Sequence, residues 1–191
     1  MHSVQDTRER ILASAQLLAQ RRGFNAFSYA DIADEVGVRK ASIHHHFPSK
    51  DDLELELVER YRRQFAGQLA LIDEDNTGAP DRLRRYGGLY KATLVSGAIC
   101  LCGMMASDIQ ALPDALRQPL RVFFEEQAQW IAEVLDDGRK SGDFAFLGPP
   151  LRRAQTILAT LQGGLIIAHA SRDVALFDAL LDDLLAGIGQ R

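Results

Sequence analysis

The chain has 191 residues, 47% of them hydrophobic, with a formal net charge of −4 and two cysteines. That composition excludes a disordered chain and a disulfide-stapled secreted scaffold, and it leaves room for one small domain and a larger body. The acidity is unevenly placed: residues 1–63 carry ten basic and ten acidic side chains and net to zero, with three of the five histidines at 44–46, so the negative surplus belongs to the remainder.

The N-terminus, MHSVQDTRERILASAQ, is polar and lacks the apolar core of a signal peptide. The most apolar late stretch, around Leu161 to Ala170, is broken by Gln162 and His169 and is too short to span a bilayer. A cytoplasmic protein with no membrane partner is expected, its two thiols reduced.

The first helix is predicted from near Ser3 or Asp6, with Ile11, Ala15 and Leu18 on one face and Gly23 at its end. Phe24 and Phe27 are then placed to fill a small core. The stretch Ser28 to Leu53 reads as two short helices, a tight turn and the start of a longer helix. Ser28 with Asp31, and Ser49 with Asp52, form two capping boxes. Ala33 stands where two helices must cross closely, and Gly37 stands at the turn, where a positive φ costs any Cβ-bearing residue more. Ile32, Val36, Val38 and Ile43 take the buried positions.

Between Gly37 and Pro48 lies Arg39-Lys40-Ala41-Ser42-Ile43-His44-His45-His46. Ile43 pins this helix from beneath. The other positions offer cations, a hydroxyl and imidazoles, which suit phosphates and base edges. His44-His45-His46 is not read as a metal site, because adjacent helical residues point about 100° apart while two-His helical sites use i, i+4.

The helix from Ser49 is predicted to run through Leu53, Leu57, Tyr61 and Phe65 to about Ile72, roughly 36 Å at about 1.5 Å per residue. A polar break from Asp73 to Pro80 follows. From Asp81 the pattern is helical again, with Leu83, Tyr86, Tyr90 and Leu94 on one face and Gly87-Gly88 inside it for close approach of a neighbour. Cys100 to Leu112 is followed by a long helix from about Asp114 to Ser141, ended by Gly142 and Pro149-Pro150. Two closing helices, 151–170 and 174–188, are apolar on more than one face and need more than one partner.

At Gly23-Phe24, Ser28, Ile32-Ala33, Gly37-Val38, Phe47, Ser49-Lys50 and Leu53 the sequence resembles the TetR/AcrR family of bacterial transcriptional regulators. It departs from that pattern in having Ala41 where Gly is usual and His44 where Tyr is usual. The resemblance covers about residues 6 to 53, and beyond them only the general layout. It implies an all-α fold of about nine helices. Residues 1–50 would be a three-helix DNA-binding domain with a helix-turn-helix, and 51–191 an effector-binding and dimerisation domain.

On that reading Ser28, Tyr29, Arg39, Lys40, Ser42, His44, His45 and Lys50 face DNA, with Lys50 on phosphate at a helix N-terminus. Tyr86, Tyr90, Leu94, Met104, Met105, Phe123, Phe124, Gln127 and Trp130 are the pool for a mainly apolar effector pocket. Leu161, Leu165, Phe177, Leu181, Leu184 and Leu185 are expected at the interface of a homodimer, because a surplus apolar face on the last two helices would otherwise be exposed. The expected function is ligand-responsive repression of a near-palindromic DNA operator, released by a small-molecule effector. No cofactor, metal or catalytic residue is expected, since no nucleophile elbow, phosphate loop or paired-carboxylate signature stands out.

Two alternatives stay open at this stage. One is a regulator that senses oxidants or electrophiles through Cys100 and Cys102. The other is a helical small-molecule binding or enzymatic module whose helix-turn-helix is vestigial.

Overall fold

A computed structural model describes residues 4–75 and 77–189. Among these residues there are nine α-helices and no strand. They are α1 (Val4–Arg22), α2 (Tyr29–Val36), α3 (Lys40–His46), α4 (Lys50–Glu74), α5 (Ala79–Val95), α6 (Leu101–Ser107), α7 (Arg117–Ser141), α8 (Pro150–Ser171) and α9 (Val174–Gly189). Short 3-10 turns stand at Phe24–Ala26, Ile109–Ala111 and Asp114–Leu116. The expected start of the first helix at Ser3 lies outside the described residues, and the long helix expected from Asp114 starts instead at Arg117, after a 3-10 turn.

By packing, the chain divides into two compact units, Met1–Arg63 with Leu101–Arg121, and Gln64–Cys100 with Val122–Arg191. In the first unit local chemistry sets each helix end. The Ser28 hydroxyl accepts from the Ala30 N–H at 3.2 Å, and the Ser28 N–H donates to the Asp31 carboxylate at 2.7 Å, so α2 starts with a satisfied cap. Gly37 stops α2 in the left-handed region at φ 75°, with its N–H on the Ala33 carbonyl at 2.9 Å. The second box repeats the logic for α4, with the Ser49 N–H on Asp52 and the Asp52 N–H on the Ser49 hydroxyl. Ile11, Ile32, Ile43, Phe47, Leu53 and Leu57 are all buried and hold α1 to α4 together. Segment 101–121 is the unexpected member: α6 packs on α1, and the Asn25 amide donates to Asp108 at 2.9 Å.

The second unit is built on α5, α8 and α9, which pack on one another, with α7 contributing Phe123, Ile131, Val134 and Leu135 to its core. The glycine pair of α5 splits in role. A Cβ on Gly87 would lie 2.5 Å from Leu181 Cδ1 of α9, whereas one on Gly88 would meet nothing. Gly87 is thus the close-approach position, and α9 is the neighbour it admits. Phe65, Tyr86, Tyr90, Phe123 and Trp130 form one aromatic cluster, with Tyr86 stacked on Trp130 at 5.4 Å and Phe65 edge-on to Phe123 at 5.5 Å. Each such pair contributes about 0.5–1.5 kcal/mol beyond its burial.

Candidate nucleic-acid interface and effector cleft

The turn at Gly37 leaves α3 anchored by one residue. Ile43 is fully buried, while Arg39, Lys40, His44 and His45 are exposed and Ser42 is half-exposed. Five of the eight residues expected to face DNA therefore lie on the surface of one short helix and its N-cap. Ser28 is exposed as well, but its hydroxyl is engaged in the cap, where it donates to Asp31 at 2.7 Å and holds that carboxyl below the usual carboxylate range. His46 is turned partly inward, and burial, then the neighbouring His45 and Arg8, keeps its imidazole below the usual range and so neutral.

Two of the expected DNA residues, Tyr29 and Lys50, have structural duties. Tyr29 is 7% exposed, and its hydroxyl stands 3.0 Å from the Phe47 carbonyl and 2.5 Å from the Ser49 carbonyl, sharing its one proton across the link between α3 and α4. Burial and the nearby Asp52, Asp51 and Glu54 push its ionisation up to about 12, so it remains a donor. Lys50 turns its ammonium onto the carbonyls of Phe24 (2.9 Å) and Phe27 (3.3 Å) and lies over both rings at 4.6 and 5.3 Å. A cation in the first turn of α4 is unfavourable toward the helix dipole, and the carbonyls of the 3-10 turn offset that cost. Tyr29 and Lys50 thus fix where α3 and α4 stand, and with Phe27, Ser28, Lys40, His44 and Pro48 they line a shallow cleft of about 290 Å³.

Glu54 is a buried charged residue of this unit, missed from the sequence because a Glu near a helix start reads as solvated. It is 4% exposed, and its Oε2 has no hydrogen-bond partner among the described residues. Burial and then Asp51 push its carboxyl up to about 7, against the pull of Lys50. An acid raised in the folded state holds a proton that the unfolded chain releases. Stability is therefore lost as pH rises from the ordinary carboxylate range to about 7, and stays lost above it. A Glu54→Gln protein is expected to melt above the wild type at pH 8, by about 2–4 °C for each kcal/mol regained, and nearly to match it at pH 5. Thermal melts of both proteins at the two pH values check this.

In the second unit a cleft of about 850 Å³ runs along Leu69 and Asp73 of α4, Gln127, Trp130 and Glu133 of α7, and Leu151 of α8. Of the nine expected effector residues, Gln127 and Trp130 line it. The Trp130 indole donates to Asp73 at 2.9 Å, and Arg82 pairs with that carboxylate while lying over the indole at 5.5 Å. Tyr86, Tyr90, Phe123 and Leu94 are buried core of the same unit, and Phe124 is half-buried. Met104 and Met105 do not join them: both stand on α6 in the first unit, with Met105 fully buried there.

A polar string threads this apolar interior. The Tyr86 and Tyr90 hydroxyls are 3.3 Å apart, and the Gln162 amide nitrogen donates to the Tyr90 hydroxyl at 3.1 Å and to the Cys100 sulfur at 3.3 Å. Burial pushes the Tyr86 hydroxyl well above its ordinary ionisation range, so it stays protonated. The amide oxygens of Gln127 and Gln162 are buried with no partner among the described residues. Gln162 and Cys100 were not in the expected pocket, and no periodicity in the sequence links them, because they lie 62 positions apart.

The residues expected at a dimer interface divide. Leu161, Leu165, Phe177 and Leu181 are buried in the core of their own unit, and only Leu184 and Leu185 keep part of their surface open. The apolar side chains left outside on α8 are Ile166 (47% exposed), Ile167 (57%) and Leu151 (44%). A helix apolar on two faces does not announce which face its own chain uses; α5 and α9 take the one carrying Leu161 and Leu165.

Residues 11–57 match the family described as bacterial regulatory proteins, tetR family. The chain is similar to the HTH-type transcriptional repressor NemR of Escherichia coli K12, 27% identical over 180 residues that cover 90% of this chain and 88% of that one. Among solved structures, a TetR family transcriptional regulator from Agrobacterium tumefaciens matches with a TM-score of 0.93 and 34% identity, over 97% of this chain and 99% of that one. A TetR transcriptional regulator from Legionella pneumophila matches with a TM-score of 0.85 and 32% identity, over 95% of this chain and 96% of that one.

Proposed function

This chain belongs to the TetR family of bacterial transcriptional regulators, and from that premise we propose that it is a cytoplasmic homodimeric repressor released from a near-palindromic operator by a small molecule. It is a ligand-responsive DNA-binding regulator. Residues 1–50 would hold the DNA and 51–191 the effector and the second subunit. The observation that carries the reading is α3 with its N-cap, where Arg39, Lys40, His44 and His45 stand exposed and Ser42 half-exposed while Ile43 is fully buried.

Arg39, Lys40, Ser42, His44 and His45 would meet the major groove and its rim, and the remaining N–H of Lys50 would reach a phosphate. A Lys40→Ala protein should bind all sequences more weakly and lower the slope of affinity against salt by about one phosphate. Fluorescence anisotropy with operator and unrelated DNA between 50 and 200 mM salt, on the order of the range where such slopes are read, tests it. An unchanged slope would take Lys40 out of the interface.

For the effector we favour an apolar molecule bearing an N–H or O–H donor. Gln127 and Gln162 each keep a buried amide oxygen without a partner, and leaving such a group unsatisfied costs about 1–3 kcal/mol. A bound donor would remove that cost. Trp130, the one tryptophan in the chain, reports on the cleft through its fluorescence.

A further inference from the structure

The loop between α7 and α8 carries a second cleft, and its chemistry is the reverse of the first. Residues 142–149 are tied down at two points. The Phe144 N–H donates to the Gly138 carbonyl at 3.0 Å with the Phe144 ring buried, and the Ala145 N–H donates to the Ile188 carbonyl of α9 at 3.2 Å. So anchored, the loop turns its next two residues outward: Phe146 is half-exposed and Leu147 is 99% exposed. Beside them opens a cleft of about 1220 Å³, lined by the end of α7, the loop and the start of α8.

Among the described residues, three arginines and no acidic side chain line this cleft. The guanidinium of Arg139 lies 5.4 Å from the centre of the Phe146 ring and that of Arg153 5.9 Å from it. Arg139 is paired with Asp136 at 2.7 Å, but Arg152 and Arg153 have no carboxylate partner among the described residues. In a chain with a net charge of −4, two unneutralised guanidiniums line one concavity. An unpaired guanidinium offers a planar fork of donors that fits a carboxylate with two parallel hydrogen bonds. Phe146 and Leu147 beside that fork offer apolar surface that water covers poorly.

We propose that this cleft is a binding site for an amphiphilic carboxylate, its head group on Arg152 and Arg153 and its apolar body over Phe146 and Leu147. The site is separate in residues and opposite in charge from the cleft at Gln127 and Trp130, which is rimmed by Asp73 and Glu133. Occupancy would place a ligand at the joint between α7 and α8, next to the loop's hydrogen bond to α9.

Calorimetric titration of the full chain with octanoate, octyltrimethylammonium and acetate tests the proposal. Octanoate is expected to bind, with acetate weaker by at least about tenfold for want of a tail and the cation of the same tail showing no comparable affinity. An Arg152→Gln, Arg153→Gln protein, altered at an exposed and a half-exposed position and checked for unchanged melting, should lose at least about tenfold in octanoate affinity. A Gln127→Leu protein should lose none. No heat with octanoate, equal binding of the two head groups, full affinity in the double arginine variant, or loss in the Gln127 variant instead would each overturn it.

Discussion

A protein carrying Ile166→Glu and Ile167→Glu is expected to run as a monomer and to bind operator DNA about 10²–10⁴-fold more weakly than the wild type. The magnitude is that of converting one bivalent event into two independent ones. It is large here because residues 1–63 net to zero charge, so one DNA-binding unit has little sequence-independent attraction to hold it on DNA. Affinity must come from two recognition helices seated together. Ile166 and Ile167 are the positions for the test because they are about half exposed on α8, so a carboxylate there meets water in the protomer and meets a partner only in the dimer. Substituting Leu181 would test something else: it is 7% exposed and packed against Gly87, so a charge there attacks the fold. Size-exclusion chromatography with light scattering, circular dichroism and anisotropy on the double variant give the three readings needed. A folded monomer with full operator affinity would remove the dimer from the account.

The second large effect is reciprocal. A molecule that releases the operator by favouring the DNA-incompetent state by about 1–3 kcal/mol lowers DNA affinity about 5–150-fold, and the operator must then lower that molecule's affinity by the same factor. The effector is first found by thermal-shift screening with Trp130 fluorescence. Titration of it into the free protein and into the protein saturated with operator gives the two affinities. Equal values in both states would sink induction, whatever the cleft contains, since a ligand with no preference between states shifts neither.

What the sequence made legible were features whose physics is local. Ser28 with Asp31 and Ser49 with Asp52 bond within four residues, so the spacing alone specifies the caps, and Gly37 occupies the left-handed turn its position demanded. What stayed illegible were choices made by distant atoms. Tyr29 and Lys50 look like surface residues at helix starts until the carbonyls of Phe24, Phe27, Phe47 and Ser49 are brought beside them. Nothing in the run from Leu101 to Arg121 says that it joins the N-terminal helices, because the link is a contact such as Asn25 with Asp108 across 83 positions. The apolar surplus of α8 was visible, but which side it leaves open follows only once α5 and α9 have taken the Leu161 and Leu165 face.

The claim on which the rest depends is that α3, presented twice by a dimer, reads a particular DNA sequence. Genomic DNA retained by the wild-type protein at physiological salt, sequenced alongside DNA retained by a Lys40→Ala, His44→Ala protein, tests it most directly. Fragments sharing a near-palindromic motif with half-sites spaced by whole helical turns, about 10–10.5 base pairs or a multiple, are expected, with loss of that enrichment in the variant. Retention of DNA with no shared motif, or of a single asymmetric site equally by both proteins, would contradict it.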